Sequence, residues 1–384
     1  MSNNVHILQL SSYEAPIIEE NKKNEWVTYG ENNSYYSFLM DRYKKSSTNN
    51  AIINNISRLV YGKGLGATDA SKKPNDYAAM ISMFSSDDLR KVVLDFEMLG
   101  QAAFQIHYSS DRKKVVKAYH IPVHLLAPEK CNKDGQIEAY YYSDNWEDVK
   151  NYTPKRIPSF GFSKEQVEIV FIQPYSVGMK YFSYVDYQGA IPYAVLEEEV
   201  AEYLINEVQN GFSGTKVVNF NNGVPSDEEQ REIKRQLQKQ LKGDDGERIV
   251  VNFNDSTETG LKIEPLNAND LDKQFNILND TIQQEIFVAH RVTSPMLFGV
   301  RVDGQLGGRS ELVEAYELFK AVYVNDRVQK LEKVFNYIFS FNGLAVLEIE
   351  PTGPITERLT EQSLLQIMTR SEEHTSELQS RFGI

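Results

Sequence analysis

Three long stretches of helical periodicity, one interrupted from the next by a small mixed segment and the third introduced by a glycine-rich run, constrain this chain more than any motif in it. The first has Ile191, Val195, Leu196, Val200, Tyr203, Leu204 and Val208 at helical spacing from about Gln188, and Asn210-Gly211 closes it. The second starts near Asn269 and places Leu271, Phe275, Leu278, Ile282, Ile286 and Ala289 on one face. The third runs from Ser310 to about Phe341 through Leu312, Tyr316, Phe319, Tyr323, Leu331, Val334 and Ile338, and Asn342-Gly343 ends it. Between the first two lies a segment with a β-α-β-β pattern: strand Lys216 to Phe220, a helix opened by the capping box Ser226 and Glu229, then strands Arg248 to Phe253 and Leu261 to Glu264. Between the last two lie Ser294-Pro295 and the glycine-rich run Gly299 to Arg309.

The amino-terminal half predicts an α+β region. The polar stretch to Asn33 reads as an arm or a loosely attached strand. Tyr35, Phe38 and Leu39 share a helical face, and Thr48 with Asn49 can cap a helix carrying Ile52, Ile53, Ile56, Leu59 and Val60, stopped by Gly62, Gly64 and Gly66. Lys72 to Asn75 reads as a loop, and a helix from Ser86 or Asp87 ends at Gly100. Strands over Ala103 to Tyr108, Val115 to Ile121 and Ile137 to Tyr142 then predict a small antiparallel sheet.

Composition narrows the function classes. The 384 residues carry 41 basic and 54 acidic side chains, a formal charge of −13, which argues against a binder that gains its affinity by neutralising phosphates. A single cysteine, Cys131, excludes an intramolecular disulfide framework and a cysteine-ligated zinc cluster, and fits a cytosolic setting. Met1 to Leu10 lacks the basic and apolar halves of a signal peptide, and no uncharged apolar run reaches the roughly 18 residues of a membrane span.

Enzyme motifs fail on context. Gly62-Lys63-Gly64-Leu65-Gly66-Ala67 has dinucleotide-fingerprint spacing but follows a helix and precedes a polar loop, the reverse of what a pyrophosphate site needs. Gly299 to Gly304 has phosphate-loop spacing, but Gln305 and Leu306 stand where lysine and Ser/Thr belong. His120 and His124 flank Pro122 without the glutamate of a helical zinc motif, and Ser213 follows a helix one residue short of a nucleophile elbow. Glu197, Glu198 and Glu199 cannot share one helical face and read as a solvated surface rather than paired catalytic carboxylates. No catalytic residue, metal site or cofactor is assigned, and the chain is read as a non-enzyme.

The order of pieces resembles the portal, or head-tail connector, proteins of tailed double-stranded DNA phages. The resemblance rests on Ile56 to Gly66, on Phe96 to Phe104 followed by His120-Ile121-Pro122, on Gly189-Ala190-Ile191-Pro192 leading to Asn210-Gly211-Phe212, and on Val292 to Gly299. It implies an N-terminal arm over 1–33, an α+β wing over 34–187, stem helices over 188–211 and 269–294 flanking a clip over 212–268, a tunnel loop over 295–309, a wing helix over 310–342 and the start of a crown over 343–369. It further implies a homo-oligomeric ring, a dodecamer, at one capsid vertex of the virion, assembled in the host cytoplasm. Its implied partners are the terminase large subunit, head-completion and tail adaptor proteins, capsid and scaffolding proteins, and double-stranded DNA passing through the channel; no membrane is involved. Val300, Arg301, Val302, Asp303, Gly304, Gln305 and Arg309 would lie in the tunnel loop, with Arg301 and Arg309 either touching the DNA backbone transiently or standing as exposed loop charges. Glu197, Glu198, Glu199 and Glu202 would face the channel. The rival readings are another phage head morphogenesis protein without a channel and an uncharacterised hydrolase using scattered acids.

Arg370 to Ser380 resembles, residue for residue, the translated read-through of a sequencing-library adapter. That implies that 370–384 is not native protein and that the native continuation after Thr369 is missing.

Overall fold

A computed structural model of the chain describes Ile18, 23–66, 70–163, 165–209, 216–220, 225–226, 228–233, 235, 249–253, 271–299, 309–344 and 348–349. The sequence-predicted strand Leu261 to Glu264, the adapter-like tail and most of the glycine-rich run lie outside these residues. The fold is α+β, and the chain divides into two compact units, one drawn from 1–192 with 286–384 and the other from 193–285.

In the first unit, helices α1 (Ser34–Lys45) and α2 (Ser47–Tyr61) are joined at Ser46, whose extended backbone lets its Oγ accept the Asn49 N–H at 3.1 Å. Thr48 and Asn49, expected as the cap, lie inside α2 and are buried. Only Ser46 has the extended φ/ψ that a cap requires. Helix α2 buries Ile52, Ile53, Ile56 and Val60, as their spacing dictates. Helix α3 (Pro74–Met83) carries only Met80 and Met83 to the core, too few for a periodic signal, and Pro74 opens it. Helix α4 (Ser86–Leu99) is capped by Ser85, whose Oγ accepts the Asp88 N–H at 3.0 Å. It stops at Gly100, where φ is +72° and an added Cβ would sit 2.9 Å from the Tyr184 carbonyl oxygen, so that only glycine fits.

The strands form two antiparallel sheets rather than the single one expected. In the first, β2 (Ala102–Tyr108) lies between β3 (Val115–His120) and β7 (Val167–Ile172), with Phe104 opposite His120 on one side and Val170 on the other. The second has the order β4 (Leu126–Pro128), β5 (Ala139–Tyr142) and β6 (Lys155–Pro158). Pro122 and a single 3-10 turn at Val123–Leu125 turn the chain from one sheet to the other. Ala103, Ile121, Leu126, Tyr140, Ile157 and Ile169 form one buried cluster drawn from both sheets and the turn. The chain ahead of α1 is laced to β4: the Val27 N–H bonds the Pro128 carbonyl and the Lys130 N–H bonds Glu25, each at 2.9 Å. Tyr29, in the stretch expected as an arm, is fully buried and stacks on Phe182 at 4.5 Å.

The third long helix is α7 (Arg309–Phe319) and α8 (Asn325–Phe341), joined through a π-helical turn at Lys320–Val324 with helical backbone at Phe319, Val324 and Asn325. It is about 50 Å long at 1.5 Å per residue. Phe335 and Phe339 meet Phe84 edge-on at 5.1 and 5.6 Å, and Phe335 meets Phe104 at 5.4 Å. Asn342, just past the helix, takes both backbone groups of Val115, so this side chain closes part of the exposed edge of β3. A two-residue strand β10 (Glu348–Ile349) pairs with β1 (Leu65–Gly66).

In the second unit, helix α5 (Ile191–Gln209) enters from the first and α6 (Leu271–Ala289) returns to it. Between them β8 (Lys216–Phe220) and β9 (Ile249–Phe253) pair in parallel, Val218 opposite Val251. Parallel pairing requires a crossover, and the expected capping box is present: Ser226 N–H donates to the Glu229 carboxylate at 3.0 Å. No helix among the described residues is long and apolar enough to cross a membrane.

Candidate functional site

The acids expected to face a channel lie on α5, where Glu197 and Glu198 are half-buried and Glu199 and Glu202 are exposed. Of the expected tunnel-loop residues, Arg309 is the first residue of α7, and Val300, Arg301, Val302, Asp303, Gly304 and Gln305 lie outside the described residues. Residues before and after that segment are described, and the ones before it are tied down.

At its entrance, α6 ends in a pair of bonds, Val292 N–H to the Phe287 carbonyl and Arg291 N–H to the Val288 carbonyl, both at 2.9 Å, with Arg291 in the left-handed region at φ +58°. A non-glycine residue held there costs on the order of 1–2 kcal/mol, which the surrounding contacts must offset. The Arg291 guanidinium stands 5.7 Å from the Tyr323 ring centre. The Thr293 hydroxyl donates to the Ala315 carbonyl at 2.7 Å, tying the entrance directly to α7. A 3-10 turn over Pro295–Phe298 ends at Gly299, φ +80°, and buried Phe298 meets Phe319 edge-on at 5.6 Å.

Beneath the entrance, buried His290 stacks on Tyr187 at 4.7 Å, and its Nε2 lies 2.7 Å from the Asn49 Oδ1. Burial pushes its pKa down to about 3, so the imidazole is neutral at pH 7. The Tyr187 hydroxyl donates to the Met98 carbonyl, which ties this stack to the last turn of α4.

Further along the helix that follows, Tyr323 in the π turn and Arg327 after it are buried in the core. Arg327 Nε donates to Glu97 at 2.9 Å, Nη1 to Asp186 at 2.8 Å and Nη2 to the Phe96 carbonyl at 2.9 Å. The Tyr323 hydroxyl reaches Glu97 at 3.2 Å. Burial by itself lowers the Arg327 pKa, but the negative charges of Glu97 and Asp186 outweigh it and hold the guanidinium charged. Removing one member would leave the other charge buried without a partner. This knot was not expected. Its signal was a charge inside the apolar stripe Tyr323, Arg327, Leu331, and an acid between Phe96 and Met98.

The motifs set aside earlier gain no chemistry. His120 pairs with Asp95 at 2.7 Å, and His124 sits in the 3-10 turn with its pKa lowered by burial. Gly62 to Gly66 follows α2 and enters the short strand β1. Among the described residues no group of three His, Cys, Asp or Glu side chains could hold a metal ion. Ser213 lies outside them. The polar contacts of His290, Thr293 and Arg327 lie on the residues before and after the undescribed stretch 300–308, and among the described residues the buried Asn49 Nδ2 has no hydrogen-bond partner.

No family model matches the chain, and no curated protein matches it by sequence. Its fold matches chains in solved phage-like particles. In the neck of an empty gene transfer agent (GTA) particle computed with C6 symmetry, the similarity is TM-score 0.57 at 13% identity, over 87% of this chain and 89% of that one. In the virion of a native GTA particle it is 0.55 at 12%, over 88% and 89%. In the neck of a native GTA particle computed with C12 symmetry it is 0.55 at 14%, over 87% and 88%. Over most of its length, this chain has the fold of a subunit found in these particles.

Proposed function

We propose that the chain is a structural, portal-type head-tail connector subunit that closes into a ring at one vertex of a phage-like particle and lets double-stranded DNA through. The observation that carries this reading is on α5, where consecutive Tyr203, Leu204 and Ile205 are all exposed. Successive residues lie 100° apart around a helix, so these three look to different sides and one neighbour cannot cover them. A ring supplies a neighbour on either side. The fold shared with symmetric necks supports the same geometry.

In this reading the helices over 188–211 and 269–294 form the stem, 212–268 the clip that docks the terminase large subunit and adaptor proteins, 295–309 the tunnel loop and 310–342 the wing helix. Capsid and scaffolding proteins would surround it. Glu199 and Glu202, exposed on α5, would repel phosphates from the channel wall, so that DNA slides rather than being held through released counterions. The anchored entrance of the tunnel loop would let its central residues move while its root stays fixed. The chain's work would be positioning and passage, with no catalysis and no cofactor.

Negative-stain imaging of the purified chain tests this. Closed rings with a central hole are expected; compact dimers enclosing a single deep pocket would overturn the reading and favour an enzyme.

A further inference from the structure

The helix from Arg309 to Phe341 carries two exposed stripes of the same layout and opposite charge. Toward its start, Glu314, Leu318 and Val322 follow one another at four-residue intervals, all exposed, with Leu318 and Val322 each 55% accessible and Glu317 beside them. Toward its end, Lys333, Tyr337 and Phe341 follow at the same interval, again all exposed, with Tyr337 at 57%. The second stripe is broadened by neighbours. Phe160 meets Tyr337 edge-on at 5.3 Å, and exposed Phe162 follows on a turn whose Gly161 and Ser163 N–H groups are held by the buried Glu168 carboxylate at 2.8 and 3.2 Å. Tyr108 meets Phe341 at 5.4 Å, and exposed Lys114 precedes the Val115 that Asn342 clamps.

An acidic aliphatic stripe and a basic aromatic one are complementary, yet in one molecule they cannot meet. Nineteen residues separate Glu314 from Lys333, about 28 Å along one helix. Two different patches that fit each other but lie apart on one rigid element pair either reciprocally in a two-fold dimer or head to tail around a ring, and the ring reading above selects the second. We propose that the stripe of Lys333, Tyr337 and Phe341 on one copy docks on the stripe of Glu314, Leu318 and Val322 on the next. This interface rests on the ring reading above and names its contact surface. The aromatic pair would anchor it, and the charges would set its register and direction.

The test is charge reversal with rescue, read by sedimentation velocity of the full chain at physiological ionic strength. Glu314→Lys with Glu317→Lys should weaken assembly at least about tenfold, and Lys333→Glu with Lys114→Glu should do the same, because each sets like charges against each other. All four together should restore assembly to near the wild-type level. These side chains are exposed, so far-UV circular dichroism should be unchanged throughout. If the wild type assembles and neither pair weakens it, this surface is wrong and the ring stands. If both pairs weaken it and the combination does not recover, the two stripes do not face each other. A wild-type chain that stays monomeric, or that stops at a dimer, overturns the ring reading and this head-to-tail interface with it.

Discussion

Helix α8 and the far half of α5 both carry several large apolar side chains, and the chain treats them oppositely. Along α8, Val328, Leu331, Phe335, Ile338 and Phe339 are buried within their own unit, and Arg327 spends its charge on Glu97 and Asp186. Along α5, Val200 is the last buried residue among those whose burial is described, and Tyr203, Leu204 and Ile205 are exposed, Ile205 at 56% accessibility. A folded unit leaves scattered apolar side chains exposed without consequence, but a helix exposing three in succession leaves apolar area that only another surface can remove from water. The buried face of α8 is therefore explained by the single chain, and the exposed run on α5 is what the proposed assembly would cover.

The largest effect should come from breaking the α8 side. Arg327→Met leaves Glu97 buried without its partner and should cost about 3–5 kcal/mol of unfolding free energy by chemical denaturation. The double variant Glu97→Leu with Arg327→Met should recover most of that loss, since the uncompensated charge is gone. Recovery would show that the pair specifies the joint more than it stabilises it.

His290 gives the next effect, and it depends on pH. Its folded pKa of about 3 lies below the ordinary value near 6.5, so between those values the unfolded chain binds the proton that the folded chain refuses. Stability from this residue is complete above about pH 6.5 and is lost toward pH 3, at a slope of about 1.4 kcal/mol per pH unit. His290→Gln should flatten the slope by about that amount in a pH series of denaturation curves.

Gly100→Ala comes third, at about 2 kcal/mol, because φ of +72° is unfavourable for alanine and its Cβ would press on the Tyr184 carbonyl. The smallest effect on folding belongs to α5. Ile205→Ser should change the unfolding free energy of the isolated chain by no more than about 0.5 kcal/mol while lowering its tendency to assemble, which would sharpen the contrast between the two helices.

Much of the helical framework was legible because its signal is periodic: the apolar stripes of α2, α4, α6 and the helix from Arg309 to Phe341 are long enough to read against a period of 3.6. Helix α3, with two buried methionines, was not. The strands of the second sheet were poorly legible because three or four residues, such as Lys155–Pro158, carry too few alternations. Thr48 and Asn49 looked like a cap by residue type, but backbone conformation chose Ser46 and freed Asn49 to meet His290, more than two hundred residues away in sequence. The Arg327 knot was hidden for the same reason. A charge in an apolar stripe shows that a partner exists without saying whether it is Glu97, Asp186 or another of the chain's acids.

Native mass spectrometry of the wild-type chain beside Tyr203→Ser/Leu204→Ser/Ile205→Ser decides between an assembly and a lone subunit. A wild-type chain forming one closed species of twelve copies, the symmetry of one neck it resembles, with the triple variant reduced to monomer, is the expected result. A wild type that stays monomeric, or a triple variant that assembles as the wild type does, would contradict it.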